Sequence, residues 1–364
     1  MINSDQTWCT NNGKTFENMN TKYSKNSMYL LLFFFSISIF TACNSDNKKK
    51  ENLLYYQEQG EIFTTGYSIK YEYSRSLKDE IEAELDRFDQ SLNPFKDNSI
   101  ITKVNNNEQV ELDSLFINVF NKSMEVSRNT EGYFDITISP LINAWGFGFQ
   151  NMENVTPETI DSLEEFVGYE KIKIEKGEIV KSDPRIELNT SAIAKGYSCD
   201  IIADLLESFG VENYMIEIGG EISAKGVNEK DVCWRIGVDK PDDLLIIQHD
   251  LQTILSLCDK SLATSGNYRN YYVKDGKKYT HTIDPHTGYP SETDVLSATV
   301  IADDCMTADA YATAFVAMGM DKSIEVAKRV PELHYYFIYE NESDGSFAVK
   351  YSEGFEQFLA ENNK

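Results

Sequence analysis

Residues 186–221 read IELNTSAIAKGYSCDIIADLLESFGVENYMIEIGGE, and the order of apolar, small and glycine residues in this stretch decides the fold class. Residues 186–188 begin as a strand, and the small polar residues that follow make a tight loop. A helix is then expected from about Ala192 to Ser208, stopped by Gly210, because glycine alone enters the left-handed conformation at a helix end without steric cost. Residues 214–218 alternate as a second strand and run into a Gly219-Gly220 turn.

Outward from that core the same two periods recur. Ile81, Leu85, Phe88 and Leu92 share one helical face within 77–92, and a second helix starts near Asp113 and stops near Gly132. A last helix spans about 305–318 and is followed by Gly319. Strands are expected at 67–74, 234–238, 254–259 and 297–302, with hairpins over 271–283 (turn at Asp275-Gly276) and over 335–351. Helices mix with antiparallel strands, so the class is α+β, largely antiparallel, with no repeat or linker dividing 53–364.

The chain has 364 residues and a formal net charge of −25. So acidic a surface argues against nucleic acid, whose phosphates require a basic face. An anionic ligand would need local help from a metal, a lysine or a helix N-terminus. Before residue 53 the sequence does not read as folded structure. Lys22 and Lys25 precede an apolar run, 29–43, too short for an ordinary membrane span. It ends at Cys43 and resembles a bacterial lipoprotein signal, the alternative being an uncleaved signal anchor; that resemblance divides the chain into a leader (1–42), a lipidated cysteine with tether (43–52) and a catalytic domain (53–364). Translation from Met19 or Met28 would give a leader of ordinary length. Such a protein is exported and held on the periplasmic side of a membrane. Cys199, Cys233, Cys258 and Cys305 show no C-x-x-C spacing, so a thiolate metal cage is not expected and buried free thiols are the default.

Four segments could carry chemistry. In 308–314 (ADAYATA), Asp309 and Thr313 are four apart and stack on one helical face, offering two hard oxygens of the kind Mg²⁺ takes. In 189–200, Lys195 sits in the first turn of a helix, where free N–H groups and the dipole favour an anion. In HTIDPHTGYP (281–290), His281 is the natural general base, with Asp284 beside it and two prolines stiffening the loop. In 143–150 (NAWGFGFQ), Trp145 and Phe147 could flank a planar ring.

These segments, with FDITISPLINAWGFG, IEIGGE and ATSGNY, stand in the order found in the ApbE family of FAD:protein FMN transferases, which the sequence resembles from about Phe63 to Met320. The resemblance implies an exported, Mg²⁺-dependent enzyme. It takes FAD as substrate and transfers FMN to a threonine or serine hydroxyl of an acceptor flavoprotein, such as a subunit of a membrane redox complex. By position it implies that Asp309, Thr313 and the carbonyl of Ala192 hold the metal. It implies that Phe63, Phe95, Trp145, Gly146, Phe147, Asn189, Lys195 and Ile283 contact FAD. Phe63 stands where methionine is common, Phe95 where tyrosine is, and Asn189 where aspartate is. The alternatives are hydrolysis of FAD to FMN and AMP, or an FAD-binding lipoprotein without catalysis.

Overall fold

The computed structural model describes residues 53–148, 155–240, 251–267, 271–274, 277–341 and 346–360. The leader, Cys43, the tether and the Asp275-Gly276 turn lie outside them. From Leu53 onward the chain forms one compact unit. It opens with a hairpin of β1 (Leu54–Ile62) and β2 (Thr65–Tyr73), whose two-residue turn places Phe63 and Thr64 at positive φ. Helices α1 (Lys78–Leu92), α2 (Ile100–Asn105), α3 (Ser114–Asn129), α4 (Ser139–Ala144) and α5 (Pro157–Glu164) follow. A small hairpin, β3 (Ile172–Glu175) with β4 (Glu178–Lys181), then leads to α6 (Ala194–Ser208), β5 (Tyr214–Ile218) and β6 (Glu221–Lys225).

A second hairpin, β7 (Trp234–Asp239) with β8 (Leu251–Leu257), precedes β9 (Lys260–Gly266), and a third joins β10 (Tyr271–Lys274) to β11 (Lys277–Thr280). The chain ends in β12 (Val295–Ala302), α7 (Cys305–Met318), α8 (Met320–Arg329), β13 (His334–Glu340) and β14 (Phe347–Tyr351). Eight strands form one antiparallel sheet in the order β1-β2-β5-β6-β9-β12-β13-β14. The expected α+β class is the observed one.

Alternation along the strands sorts side chains to the two faces. Ala263, Ala298, Val300 and Phe337 pack with the alanines and Phe315 of α7, while Ile69, Ile216 and Ile218 pack with Cys199, Ile202 and Leu206 of α6. On the other face Ile222, Leu262, Ile301, Tyr336 and Ile338 pack under Trp234, Ile236, Val238, Leu255 and Leu257 of the β7–β8 hairpin. Helix α7 is buried nearly all round, as its almost wholly apolar sequence requires. Its N-terminal N–H groups are taken by carboxylates, Thr307 N–H by Asp304 and those of Cys305 and Met306 by Asp200. Gly319, at φ 79°, ends it where the sequence indicated.

Two expectations fail. Residues 186–188 form no strand: both Leu188 backbone groups are taken by the Asn105 side chain, and Asn189 N–H donates to Ile136 O. The segment's polar groups are thus satisfied outside any sheet. The cysteines are not all free either. Cys233 and Cys258 form a disulfide that closes the base of the β7–β8 hairpin, and Cys199 and Cys305 remain buried thiols.

Candidate active site

Strands β6 and β9 pair over only three positions, from Ile222↔Leu262 to Ala224↔Lys260. Beyond Leu262 the β5–β6 turn bends away at Gly219 and Gly220, both at positive φ, while β9 continues to Gly266. There the sheet parts. A cavity of about 780 Å³ opens in the gap, lined by that turn, β9, the start of α6, the outward face of β7, the 133–142 segment, residues 281–283 and α7.

Eight of the residues singled out in the sequence line this one cavity: Phe147, Asn189, Ala192, Lys195, His281, Ile283, Asp309 and Thr313. Helix α7 supplies Asp309 and Thr313 from successive turns, and α6 approaches it at Gly196. The Gly196 N–H donates to Asp309 Oδ2 at 3.0 Å. In an uninterrupted helix that N–H would bond the carbonyl of Ala192, so its diversion frees the Ala192 oxygen, which no other hydrogen bond among the described residues reaches. Thr313 Oγ1 likewise has no partner among the described residues, and Asp309 Oδ1 faces Lys195 Nζ at 3.8 Å.

Lys195 is held firmly. Its ammonium donates to Glu221 Oε1 at 2.6 Å, and its side chain keeps 30% exposure toward the cavity. Burial works against the Lys195 charge, yet Asp309 and Glu221 outweigh it and hold the ammonium above its ordinary range. Burial also pushes the Glu221 carboxyl up to about 7, against the pull of Lys195 toward ionisation. Asn189 uses its side-chain oxygen on the Ser191 N–H, which fixes the loop entering α6.

Trp145, Gly146, Asp284, Phe63 and Phe95 stand behind the cavity wall or away from it. Trp145 is buried, stacks on Tyr279, and donates from Nε1 to Gly288 O at 2.7 Å, so it brackets the 281–290 loop and is not among the cavity-lining residues. Gly146, at φ 78°, turns the chain so that Phe147 reaches the cavity, 6.4 Å from the His281 ring. Ile283 joins Leu141, Trp145 and Ile160 in a small core that fixes the loop. Asp284 does not line the cavity: its carboxylate accepts the His286 N–H and contacts the His286 ring, whose other nitrogen meets Glu131 O. That makes Asp284 a loop brace. Phe63 packs on Phe88 in the β1–β2 turn, and Phe95 is 65% exposed in the loop after α1.

Sequence reasoning missed Glu221, Gly196, Asp135 and Arg235. IEIGGE and FDITIS contain the two acids, but nothing local tells that Glu221 partners Lys195. Nor does it tell that the buried Asp135 carboxylate takes Thr137 N–H, Thr137 Oγ1–H and Tyr169 N–H to shape the cavity wall. Among the described residues no group of three His, Cys, Asp or Glu side chains gathers as a metal cage.

A family model described as the ApbE family matches residues 63–337. Among curated relatives, an FAD:protein FMN transferase of Vibrio cholerae serotype O1 is 35% identical over 314 residues, 83% of this chain and 92% of the relative. One of Escherichia coli K12 is 31% identical over 295 residues, 79% of this chain and 82% of the relative. Among solved structures, the flavin transferase ApbE from Vibrio cholerae superposes with a TM-score of 0.76 at 34% identity, covering 84% of this chain and all of that one. The ApbE protein of Thermotoga maritima gives 0.73 at 28% identity, covering 84% and 99%.

Proposed function

The chain belongs to the ApbE family, and we infer that it is an FAD:protein FMN transferase whose chemistry runs in the cavity between β6, β9 and α7. The acceptor we propose is a threonine or serine hydroxyl of a flavoprotein, and the cofactor Mg²⁺. One observation carries the metal assignment: the Gly196 N–H goes to Asp309, which leaves the Ala192 carbonyl, Thr313 Oγ1 and Asp309 Oδ1 without hydrogen bonds in one cavity. Three hard oxygens with a single carboxylate suit Mg²⁺, which keeps positions for water and phosphate, and they need no cluster of acids. When bound, the ion would neutralise phosphate charge and act as a Lewis acid.

The chain's own groups do the rest. Lys195, steadied by Glu221, faces the anionic part of FAD, and Phe147 and Ile283 offer apolar surface to its rings. The acceptor oxygen bonds to the FMN-side phosphorus as the bond to the bridging oxygen breaks. AMP leaves, and His281 takes the hydroxyl proton. Asp284, tied to His286, would hold the loop carrying His281.

We also propose export and lipidation at Cys43. The Cys233–Cys258 disulfide supports an oxidising compartment, and mass spectrometry of the mature N-terminus tests the lipid. The activity is tested by incubating the protein with FAD, Mg²⁺ and a flavin-accepting domain, then measuring FMN bound to protein. Transfer that disappears with chelator and with Asp309→Ala is expected. Full activity of that variant in excess Mg²⁺ would sink the metal assignment, and release of free FMN alone would make the protein a hydrolase.

A further inference from the structure

The parting of the sheet leaves a strand edge open inside the cavity. Strand β9 pairs with β12 along its length, from Ser261↔Ala302 to Gly266↔Ser297, and the next residue, Asn267, donates its N–H to Leu296 O on that same side. Backbone amides of an antiparallel strand point to alternate sides. Residues 263, 265 and 267 therefore spend their hydrogen bonds on β12, and Thr264 and Gly266 turn theirs the other way. On that side β6 has already ended, since its pairing with β9 stops at Leu262. No hydrogen bond among the described residues reaches the N–H or C=O of Thr264 or Gly266, and both residues line the cavity that Asp309, Thr313 and His281 line.

Four backbone groups at strand spacing, unpaired within a partly enclosed site, form a template for an added strand. We propose that the acceptor polypeptide docks here in extended form, as a short strand on the open edge of β9, and thereby brings its hydroxyl-bearing residue into the cavity. This rests on the transferase reading above. A protein acceptor is needed for two reasons. The reaction requires a polypeptide hydroxyl inside a cavity rather than on a surface, and an extended segment is the slimmest way to deliver one. The edge also presents the N–H and C=O of two residues two apart, the repeat of a β-strand, whereas the edge of a flavin ring would engage only one of them. Recognition through main-chain atoms would accept different acceptor sequences, with side-chain choice left to the cavity walls.

Amide hydrogen exchange on the whole protein with FAD and Mg²⁺ tests this. The probe is a flavin-accepting domain whose acceptor threonine is replaced by alanine, so that it binds without turnover. Exchange at Thr264 and Gly266 should slow at least tenfold on adding that domain and not on adding FAD alone. In parallel, Thr264→Pro removes one edge N–H without touching a backbone bond to β12, while Thr264→Val gives up the same Thr264 Oγ1 bond to Thr299 Oγ1 as the proline variant does and keeps the N–H. The proline variant should raise KM for the wild-type acceptor domain tenfold or more over the valine variant. Protection by FAD alone would assign the edge to the flavin and overturn the proposal, as would unchanged exchange with the acceptor domain present. Transfer by the wild-type protein, measured alongside, reports separately on the underlying activity.

Discussion

Gly196→Ala isolates the contact on which the proposed metal site depends. A Cβ at this position would sit 2.3 Å from Cys305 O and 2.7 Å from Asp309 Cβ, both on α7 and neither at the end of a flexible side chain. Relief of the first clash requires α6 and α7 to separate locally by about 1 Å, to reach ordinary contact distance. Overpacking of this kind costs about 1–3 kcal/mol, and alanine returns up to about 1 kcal/mol of helix propensity. The net loss of about 1–2 kcal/mol should lower Tm by roughly 2–4 °C in a chain of this size. Activity should suffer far more. The same separation lengthens the Gly196 N–H bond to Asp309 Oδ2 and shifts that carboxylate against Ala192 O and Thr313, and a 1 Å misplacement costs about 10²-fold in rate. The assay is FMN attached to an acceptor domain at saturating FAD, with Mg²⁺ titrated and Tm measured on the same samples. A Gly196→Ala protein with wild-type turnover and wild-type Mg²⁺ requirement would refute the argument that this approach sets the ligand geometry.

Three further outcomes are expected. His281→Ala should reduce turnover more than FAD affinity; loss of FAD binding with turnover kept at saturation would pass the proton-accepting role to another group. Trp145→Phe removes the Nε1–H bond to Gly288 O and leaves that carbonyl unpaired, at about 1–3 kcal/mol. Its KM for FAD should rise as the loop bearing Ile283 and His281 loosens, and an unchanged KM with a lowered Tm would limit Trp145 to stability. Glu221→Gln tests the buried carboxyl. With a folded-state pKa raised to about 7, Glu221 binds a proton in the folded chain that the unfolded chain has released, so stability falls as pH rises from the ordinary carboxyl range toward 7. The glutamine variant should flatten that part of a Tm-versus-pH curve, and an unaltered slope would show that Glu221 titrates elsewhere.

The readable parts of the fold were those governed by local periodicity and by glycine. Helix α7 runs from Cys305 to Met318 as its composition and Gly319 imply, and β5 and β7 start where alternation begins. What the sequence hid was set by distant partners. Residues 186–188 look like a strand, but Asn105, 83 positions from Leu188, takes the hydrogen bonds a sheet would have used. Strand β9 is missing from the strands the sequence indicated, because it lies between two strands beneath the alanine-rich face of α7, where small side chains fit and β-branched ones are not required. The candidate site divides in the same way. Asp309 and Thr313 announce themselves by helical spacing, whereas Glu221 matters only because the β5–β6 turn sets it against Lys195.

The cavity's charge explains why those two sets of residues belong together. Asp135, Glu217, Glu221, Asp239 and Asp309 line it, against Lys195 and Arg235, and the Lys195 charge is already opposed by Glu221 and Asp309. In a chain of net charge −25, such a cavity repels a pyrophosphate until a cation enters it. With the proposed Mg²⁺ the acids would make binding of the cation and of the anionic substrate favour each other, a coupling that is reciprocal by linkage. Arg235 shares the outward face of β7 with Gly237 and Asp239, lines the cavity, and has no hydrogen bond or ion pair among the described residues. The disulfide closes its hairpin, and the apolar side chains of β7 and β8 hold that hairpin against the sheet, so that β7 walls the cavity on the face opposite α6 and α7. A pocket lined by five acids, with one of them on the disulfide-closed hairpin itself, is suited to take an anionic substrate with a cation rather than by its own basic groups.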